Sequence, residues 1–176
     1  MKRKYPVGIE SFYDIRTGGY VYVDKTKYIY DLVDSGMYYF LSRPRRFGKS
    51  LLMSTIQAFF EGKKQYFDGT VGEPLFIATD ESVKWDWQSY PVLHLDLNTD
   101  NYSSREVLED RLNKFLNSQE ELFGVSHAEK TIGQRFEGVI ERAYKQTGRG
   151  VVILIDEYDK PLLQAIGNKE LQNEFR

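Results

Sequence analysis

The residues best suited to chemistry lie in two short segments, and the first of them is Phe47-Gly48-Lys49-Ser50. This segment has the sequence of the second half of a phosphate-binding loop, and it follows an apolar run at residues 37–41. A nucleoside triphosphate is bound by backbone N–H groups, a lysine ammonium group and a hydroxyl that can ligate Mg²⁺. We therefore predict that Lys49 reaches the β- and γ-phosphates and that Ser50 ligates Mg²⁺. A tight turn between a strand and a helix, with an exposed lysine, is the alternative interpretation.

The second segment is Asp156-Glu157, which directly follows five apolar residues at positions 151–155. This arrangement is the Walker B pattern, in which a carboxylate at the end of a buried strand holds Mg²⁺ through its water shell. Asp156 is predicted to have that role, and Glu157 is predicted to polarise the attacking water as a general base. A strand that simply ends in acidic turn residues is the alternative. The order of the two motifs, each after an apolar run, favours a nucleotide site at the carboxyl ends of parallel strands.

The phosphate-binding loop is unusual because Arg43 stands where the consensus has glycine. Arg45 and Arg46 can neutralise phosphate charge or contact an acidic partner, although solvated arginines on an exposed loop explain the sequence equally well. The predicted nucleotide-binding residues are Arg45, Arg46, Phe47, Gly48, Lys49, Ser50 and Leu51.

One more acidic residue, Asp96, lies near the end of an apolar run at residues 91–97 and is a candidate second acid beside the nucleotide. A helix cap or a plain strand terminus is the alternative role for this residue. His94 and His127 have no partners at metal-ligand spacing, so the sequence predicts no metal site other than the Mg²⁺ site.

The periodicity of apolar residues predicts alternating strands and helices. The predicted strands are residues 20–23, 37–41, 91–97 and 151–155. The predicted helices are residues 24–36, 52–60, 104–122 and 128–147, and a last helix that begins after Pro161 and is still running at residue 176. Residues 63–90 are predicted to be a long loop with little regular structure. This order of elements indicates an α/β fold with a mainly parallel sheet.

Composition excludes several classes of protein. The 176 residues are 41% hydrophobic and 28% charged, which is typical of a globular domain, and the net charge of -2 gives no general attraction to nucleic acid. The absence of cysteine excludes disulfides and thiolate metal sites. No apolar run approaches the ~18 residues of a membrane span, and the basic residues 1–4 are not followed by a signal-peptide core. We therefore expect a cytoplasmic protein without a membrane partner.

Four segments together resemble the AAA-ATPase-like family of bacteria and archaea. They are Asp24-Lys25-Thr26, Arg43-Pro44-Arg45-Arg46-Phe47-Gly48-Lys49-Ser50-Leu51, Pro91-Val92-Leu93-His94-Leu95-Asp96 and Asp156-Glu157-Tyr158-Asp159-Lys160-Pro161. In that family an arginine at position 43 is the usual form of the loop. The resemblance runs from about Tyr5 to Arg176, and longer family members often carry a C-terminal nuclease-like domain.

The resemblance implies a three-layer P-loop NTPase core of the additional-strand type, with ATP and Mg²⁺ as its cofactors. It implies the roles given above for Lys49, Ser50, Asp156 and Glu157. Residues 1–176 would then be the N-terminal part of that domain, because the inserted central strand, the sensor residue and the arginine finger come later in the family. The sheet is therefore expected to be incomplete at the C-terminus, or completed by direct pairing, by another chain or by domain swapping.

Two functions fit these observations. The first is Mg²⁺-dependent ATP hydrolysis by the full-length protein. The second is a nucleotide-gated binding module with little or no hydrolysis, because the sensor and the arginine finger are not in this sequence. A protein partner or self-association is expected in either case. Nucleic acid enters only by analogy with the family, since residues 1–176 have neither a nuclease motif nor a basic stripe.

Overall fold

The computed structural model of the protein describes residues 4–42 and 47–175. The elements in chain order are α1 (Phe12–Thr17), α2 (Thr26–Ser35), α3 (Lys49–Phe60), a 3-10 helix (Lys64–Tyr66), α4 (Phe76–Thr79), β1 (Val92–Asp96), α5 (Arg105–Phe123), α6 (Ile132–Thr147), β2 (Val152–Asp156), α7 (Lys160–Gln164) and α8 (Lys169–Glu174). They fall into two compact units, Met1–Ser89 and Tyr90–Arg176. No described helix is both long enough and apolar enough to span a membrane.

The first unit is built around aromatic side chains. Phe12 of α1, Phe59 of α3 and Phe67 are completely buried. The rings of Phe12 and Phe67 lie 4.9 Å apart, and Phe59 stacks on Trp85 at 4.4 Å. Large rings bury much apolar area with few rotatable bonds, so a few of them can hold short helices together. This core fixes the position of α3, the helix that begins at the predicted phosphate-binding residues.

Asp24 joins the N-termini of α2 and α4. Its Oδ1 accepts hydrogen bonds from the backbone N–H and the hydroxyl of Thr26, at 2.8 and 2.7 Å, and its Oδ2 accepts from Phe76 N–H at 2.7 Å. The hydroxyl oxygen of the buried Thr26 in turn accepts from Ile77 N–H at 3.1 Å. The first N–H groups of a helix have no partner within the helix, and here two side chains accept from one of them in α2 and two of them in α4.

Replacing Asp24 by alanine is expected to lower the free energy of unfolding by about 2 kcal/mol, since two helix N-termini each lose a cap worth about 1 kcal/mol. Asp24→Asn keeps one acceptor oxygen and should lose about half as much. Urea unfolding of the protein checks the effect. Asp34→Ala, an exposed position in the last turn of α2, is the control and should change stability by less than about 0.5 kcal/mol. Equal effects at positions 24 and 34 would contradict the capping role.

Two strands that the sequence predicts in this unit are not formed. Residues 20–23 and residues 37–41 are neither strand nor helix. Met37 and Tyr38 are 86% and 92% exposed, so the prediction of a strand buried on both faces is wrong for residues 37–41. A strand exists only where a neighbour accepts its backbone hydrogen bonds. Among the described residues of Met1–Ser89 no strand is present that could be that neighbour.

The second unit contains a parallel pair of strands, β1 and β2. They pair in register from Val92 opposite Val152 to Asp96 opposite Asp156. The alternate side chains of β1 are buried, and Leu93 belongs to a core formed with residues of α5 and α6. A parallel pair needs a long crossover connection, and α5 and α6 supply it. The predicted α/β class with a parallel sheet is therefore confirmed over these two strands.

Arg135 of α6 fixes the pairing of α5 with α6. It binds Glu120 with two nitrogens, at 2.8 and 2.7 Å, and it donates to the amide oxygens of Asn113 at 2.6 Å and Asn117 at 2.7 Å. These three residues are spaced by four and three along α5, which places them on one face of that helix. One guanidinium group therefore contacts about two turns of one face of the neighbouring helix.

The end of the chain differs from the sequence-based prediction of one continuous helix after Pro161. The segment forms two short helices, α7 and α8. Gly167 lies between them with φ of 93°, a left-handed conformation that favours glycine, and Asn168 caps α8 by accepting from Leu171 N–H at 3.2 Å. A glycine followed by a capping asparagine ends one helix and starts another.

Candidate functional site

The predicted phosphate-binding residues lie at the start of α3. Gly48 has φ of 73°, and α3 begins at the next residue, Lys49, without a hydrogen bond from a capping side chain. The first bond of this helix runs from Leu52 N–H to Gly48 O at 3.0 Å. The N–H groups of Lys49, Ser50 and Leu51 therefore cannot bond within the helix, and they lie at its positive end. This is the arrangement that binds phosphate groups.

The structure brings five of the seven predicted nucleotide-binding residues together at this helix start. Lys49 and Ser50 are half-buried there, whereas Phe47 is exposed. Arg45 and Arg46 lie outside the described residues. A charged end group on Lys49 and a hydroxyl on Ser50 complete the set of functional groups that a triphosphate with Mg²⁺ requires.

The predicted acidic residues lie at the carboxyl end of β2 in the second unit. Asp156 is the last residue of β2 and is 7% exposed, and its Oδ1 accepts from Glu157 N–H at 3.0 Å. Glu157 has φ of 52°, a left-handed conformation that costs a residue with a side chain about 1–3 kcal/mol. Strained residues cluster at active sites, although Trp87, which has no proposed role, also has a positive φ of 55°. The backbone therefore turns sharply at the residue that the sequence predicts as the general base.

Asp96 ends β1 directly beside Asp156. The two residues are opposite each other in the register of the parallel pair, and paired residues of neighbouring strands place their side chains on the same face. Asp96 accepts from Asn98 N–H at 2.7 Å through its carboxylate, while its backbone oxygen accepts from Arg111 at 2.7 Å. Neither carboxylate forms an ion pair with any described residue. Asp96 therefore lies at the same strand ends as Asp156, the residue that the sequence predicts as the Walker B aspartate.

The described residues contain no group of three or more His, Cys, Asp and Glu side chains that could hold a metal ion by themselves. Mg²⁺ usually retains waters and takes one or two carboxylates together with phosphate oxygens. The hydroxyl of Ser50 and the carboxylate of Asp156 are each, taken separately, oxygen groups of the kind that such a partial ligand set uses.

Sequence reasoning assigned no role to the contacts between α7 and the loop that follows β1. Lys160 Nζ donates to the backbone oxygen of Asn98 and lies 3.4 Å from its Oδ1. Gln164 Oε1 accepts from Tyr102 N–H at 2.8 Å. No sequence pattern indicates this contact, because Asn98 and Tyr102 lie in an irregular loop; only the fold shows that the two segments meet.

Comparison with known proteins agrees with the motifs. A family model described as predicted AAA-ATPase matches residues 6–176. An uncharacterized protein in the vnfD 5' region of Azotobacter chroococcum mcd 1 is 37% identical over 177 residues, which cover 99% of this chain and 33% of that relative. The chain thus spans about a third of the length of this relative. No solved structure matches the chain. Because the family model covers almost every residue, including both motifs, the chain belongs to the AAA-ATPase-like family.

Proposed function

We propose that the full-length protein binds ATP with Mg²⁺ and hydrolyses the bond between its β- and γ-phosphates. The observation that carries this proposal is the start of α3, where a left-handed Gly48 leads directly into an uncapped helix N-terminus bearing Lys49 and Ser50. The family description, predicted AAA-ATPase, supports the same function. A cytoplasmic location is part of the proposal.

The binding roles follow from the chemistry of each residue. The N–H groups of Gly48, Lys49 and Ser50 donate to phosphate oxygens, and the ammonium group of Lys49 adds a charge at the β- and γ-phosphates. Arg45 and Arg46 neutralise further phosphate charge, and Phe47 and Leu51 flank the loop. Ser50 and Asp156 hold the metal, which, when bound, neutralises charge on the β- and γ-oxygens.

Glu157 is the proposed general base. Its carboxylate accepts a proton from the attacking water, whose oxygen forms a bond to the γ-phosphorus while the bond from that phosphorus to the β–γ bridging oxygen breaks. ADP and inorganic phosphate are the products. The left-handed backbone at Glu157 sets the direction in which this side chain leaves the end of β2.

The three-layer P-loop core belongs to this proposal as well. It requires more parallel strands than β1 and β2, and we propose that another segment or a partner chain supplies them. Residues 1–176 are the N-terminal part of the proposed domain.

Titration calorimetry with Mg–ATP tests the binding site. Lys49→Ala is expected to weaken ATP affinity about tenfold or more, which corresponds to about 1.4 kcal/mol, because a charge at the terminal phosphates is lost. Lys27→Ala is the matched control, since Lys27 lies in the same unit and forms an exposed ion pair with Asp31 on the surface of α2. Its affinity should equal that of the wild type. Absence of ATP binding by the wild-type protein would refute the proposed function.

A nucleotide-gated binding module is the second candidate. The exposed apolar run at residues 37–41 favours it, because this run directly precedes the proposed nucleotide loop in the sequence. Exposed apolar runs often mark interaction surfaces. ATP binding without measurable phosphate release by the full-length protein would select this function over hydrolysis.

A further inference from the structure

We propose that Lys160 and Gln164 are positioning residues for Glu157: together they clamp α7 to the loop after β1 and so hold the strained turn at the end of β2. This inference rests on the proposed function, in which Glu157 acts on the attacking water. Neither residue is assigned a role by the Walker motifs.

The clamp has two matched points of contact. Lys160 and Gln164 are four residues apart in α7 and therefore lie on one face of it. Their partners, Asn98 and Tyr102, are also four residues apart. The first contact joins an ammonium group to a backbone carbonyl, and the second joins a side-chain oxygen to a backbone N–H. Each contact thus includes one backbone group of the loop, so the clamp depends on where the loop runs rather than on its side chains.

The loop side of the clamp is fixed by the core of the second unit. Tyr102 is buried and belongs to the same core cluster as Leu97. Leu97 N–H donates to Asp156 O at 3.1 Å, which continues the ladder between the strands by one residue. Asn98 N–H donates to the carboxylate of Asp96 at 2.7 Å. The start of the loop is therefore tied to the ends of both strands, and α7 contacts the loop further along, at Asn98 and Tyr102.

The helix side of the clamp leads directly to Glu157. Lys160 N–H donates to Glu157 O at 3.0 Å, and Pro161 in the first turn of α7 is buried. A helix of five residues is not stable without tertiary contacts, so the clamp contacts contribute to its formation. If α7 loosens, the peptide group after Glu157 loses its hydrogen bond, and the left-handed backbone at Glu157 can relax to a more favourable conformation. The carboxylate then moves away from the position that the reaction requires.

Steady-state ATP hydrolysis by the full-length protein tests the positioning role. Lys160→Met and Gln164→Met are expected to lower kcat about tenfold to a hundredfold, because small misplacements of a catalytic group have effects of that size. The KM and the Kd for ATP should stay within about twofold, since the proposed phosphate contacts lie at the start of α3. Gln164→Glu keeps an acceptor for Tyr102 N–H and should restore most of kcat. Lys169→Met, at an exposed lysine of α8, is the control and should behave as the wild type.

Hydrogen exchange provides a readout that does not depend on turnover. The amide of Tyr102 donates to Gln164, so its exchange rate should rise at least about tenfold in Gln164→Met and in Lys160→Met, but not in Lys169→Met. All variants are compared at a temperature well below their own Tm, so that global unfolding does not contribute.

These measurements distinguish a failure of the proposed ATP hydrolysis from a failure of the proposed positioning role of Lys160 and Gln164. A wild-type protein without ATP turnover refutes the hydrolysis, and an unchanged Tyr102 exchange rate then refutes the clamp as well. Faster exchange with unchanged kcat shows a clamp that does not position Glu157, and this overturns the proposal. A joint loss of kcat and of ATP affinity in Lys160→Met overturns it too, because that pattern indicates a general structural defect. Faster exchange, lower kcat and unchanged ATP affinity, with recovery in Gln164→Glu, support it.

Discussion

Replacing Glu157 by glutamine is expected to lower the rate of ATP hydrolysis about 10²–10⁴-fold while leaving the affinity for Mg–ATP within about twofold. Glutamine has the same shape as glutamate but cannot accept the proton of the attacking water. The proposed phosphate contacts lie at Gly48, Lys49 and Ser50, which this substitution does not alter. Phosphate release by the full-length protein at saturating ATP measures the effect. Unchanged turnover in the variant would exclude Glu157 as the base.

Glycine at the same position should separate catalysis from stability. Glu157→Gly is expected to be as inactive as Glu157→Gln, yet more stable by about 1 kcal/mol, because glycine adopts a φ of 52° without the strain of a side chain. Asp159→Gly is the matched control, since Asp159 has φ of -84° only two residues away. Glycine there should lower the free energy of unfolding by about 0.5–1 kcal/mol. If both glycine variants are destabilised equally, the strain at Glu157 is absent.

Removing the guanidinium group of Arg135 is expected to have the largest effect on stability. Arg135→Met should lower the free energy of unfolding by about 3 kcal/mol, the lower end of the range for breaking a buried ion pair. The Arg135 side chain is 18% exposed and the Glu120 side chain 10% exposed, so Glu120 would be left as a nearly buried charge without its partner. Asn113 and Asn117 would lose a donor at the same time. Chemical unfolding monitored by circular dichroism measures the loss.

The ion pair between Arg135 and Glu120 also makes the stability of the second unit depend on pH. The hydrogen bonds from Arg135, followed by the attraction of its charge, hold the pKa of Glu120 below its ordinary value. The unfolded chain therefore binds this proton at a higher pH than the folded protein does. The contribution of the pair is fully present above the ordinary glutamate pKa of about 4.3, and it is lost as the pH falls through the lower pKa of the folded state.

Two variants control for this prediction. Lys145→Met breaks an ion pair on α6 whose side chains are 71% and 68% exposed, so it should change stability by less than about 0.5 kcal/mol. The double variant Glu120→Gln, Arg135→Met removes both charges and should be more stable than Arg135→Met alone, with a weaker loss of stability below pH 4. Equal stability of the single and double variants would show that the isolated charge of Glu120 is not costly.

In the second unit, most of the elements predicted from the sequence are formed. The apolar runs of β1 and β2 and the helical periodicity of α5 and α6 are local patterns, and each predicted element is formed within a few residues of its expected ends. Residues 37–41 have an equally apolar pattern but form no strand. A strand depends on a neighbour from elsewhere in the chain, and no local pattern shows whether that neighbour is present. Gly167 likewise breaks the last predicted helix where composition alone indicated continuity.

In the candidate site, too, some features follow from local sequence patterns and others do not. The spacing of apolar residues predicted a helix over residues 52–60 and a strand over residues 151–155; both are formed, although α3 begins three residues earlier, at Lys49, and β2 extends one residue further, to Asp156. The left-handed turn at Glu157 could not be predicted, because residues other than glycine rarely adopt it without support from the surrounding structure. That support comes in part from Asn98, which lies 62 residues before its partner Lys160 in the chain. Contacts of that range depend on the complete fold.

The exposed run at residues 37–41 bears on the solubility of the protein. Met-Tyr-Tyr-Phe-Leu has high strand propensity, no charge and no proline, which is the composition of segments that nucleate aggregation. The next four residues, Arg43 to Arg46 after Ser42, supply three positive charges and a proline. Charged residues and prolines that flank an aggregation-prone segment reduce its self-association. The arginines of the loop thus reduce self-association of residues 37–41 independently of any phosphate binding. This effect begins as soon as this part of the chain is synthesised.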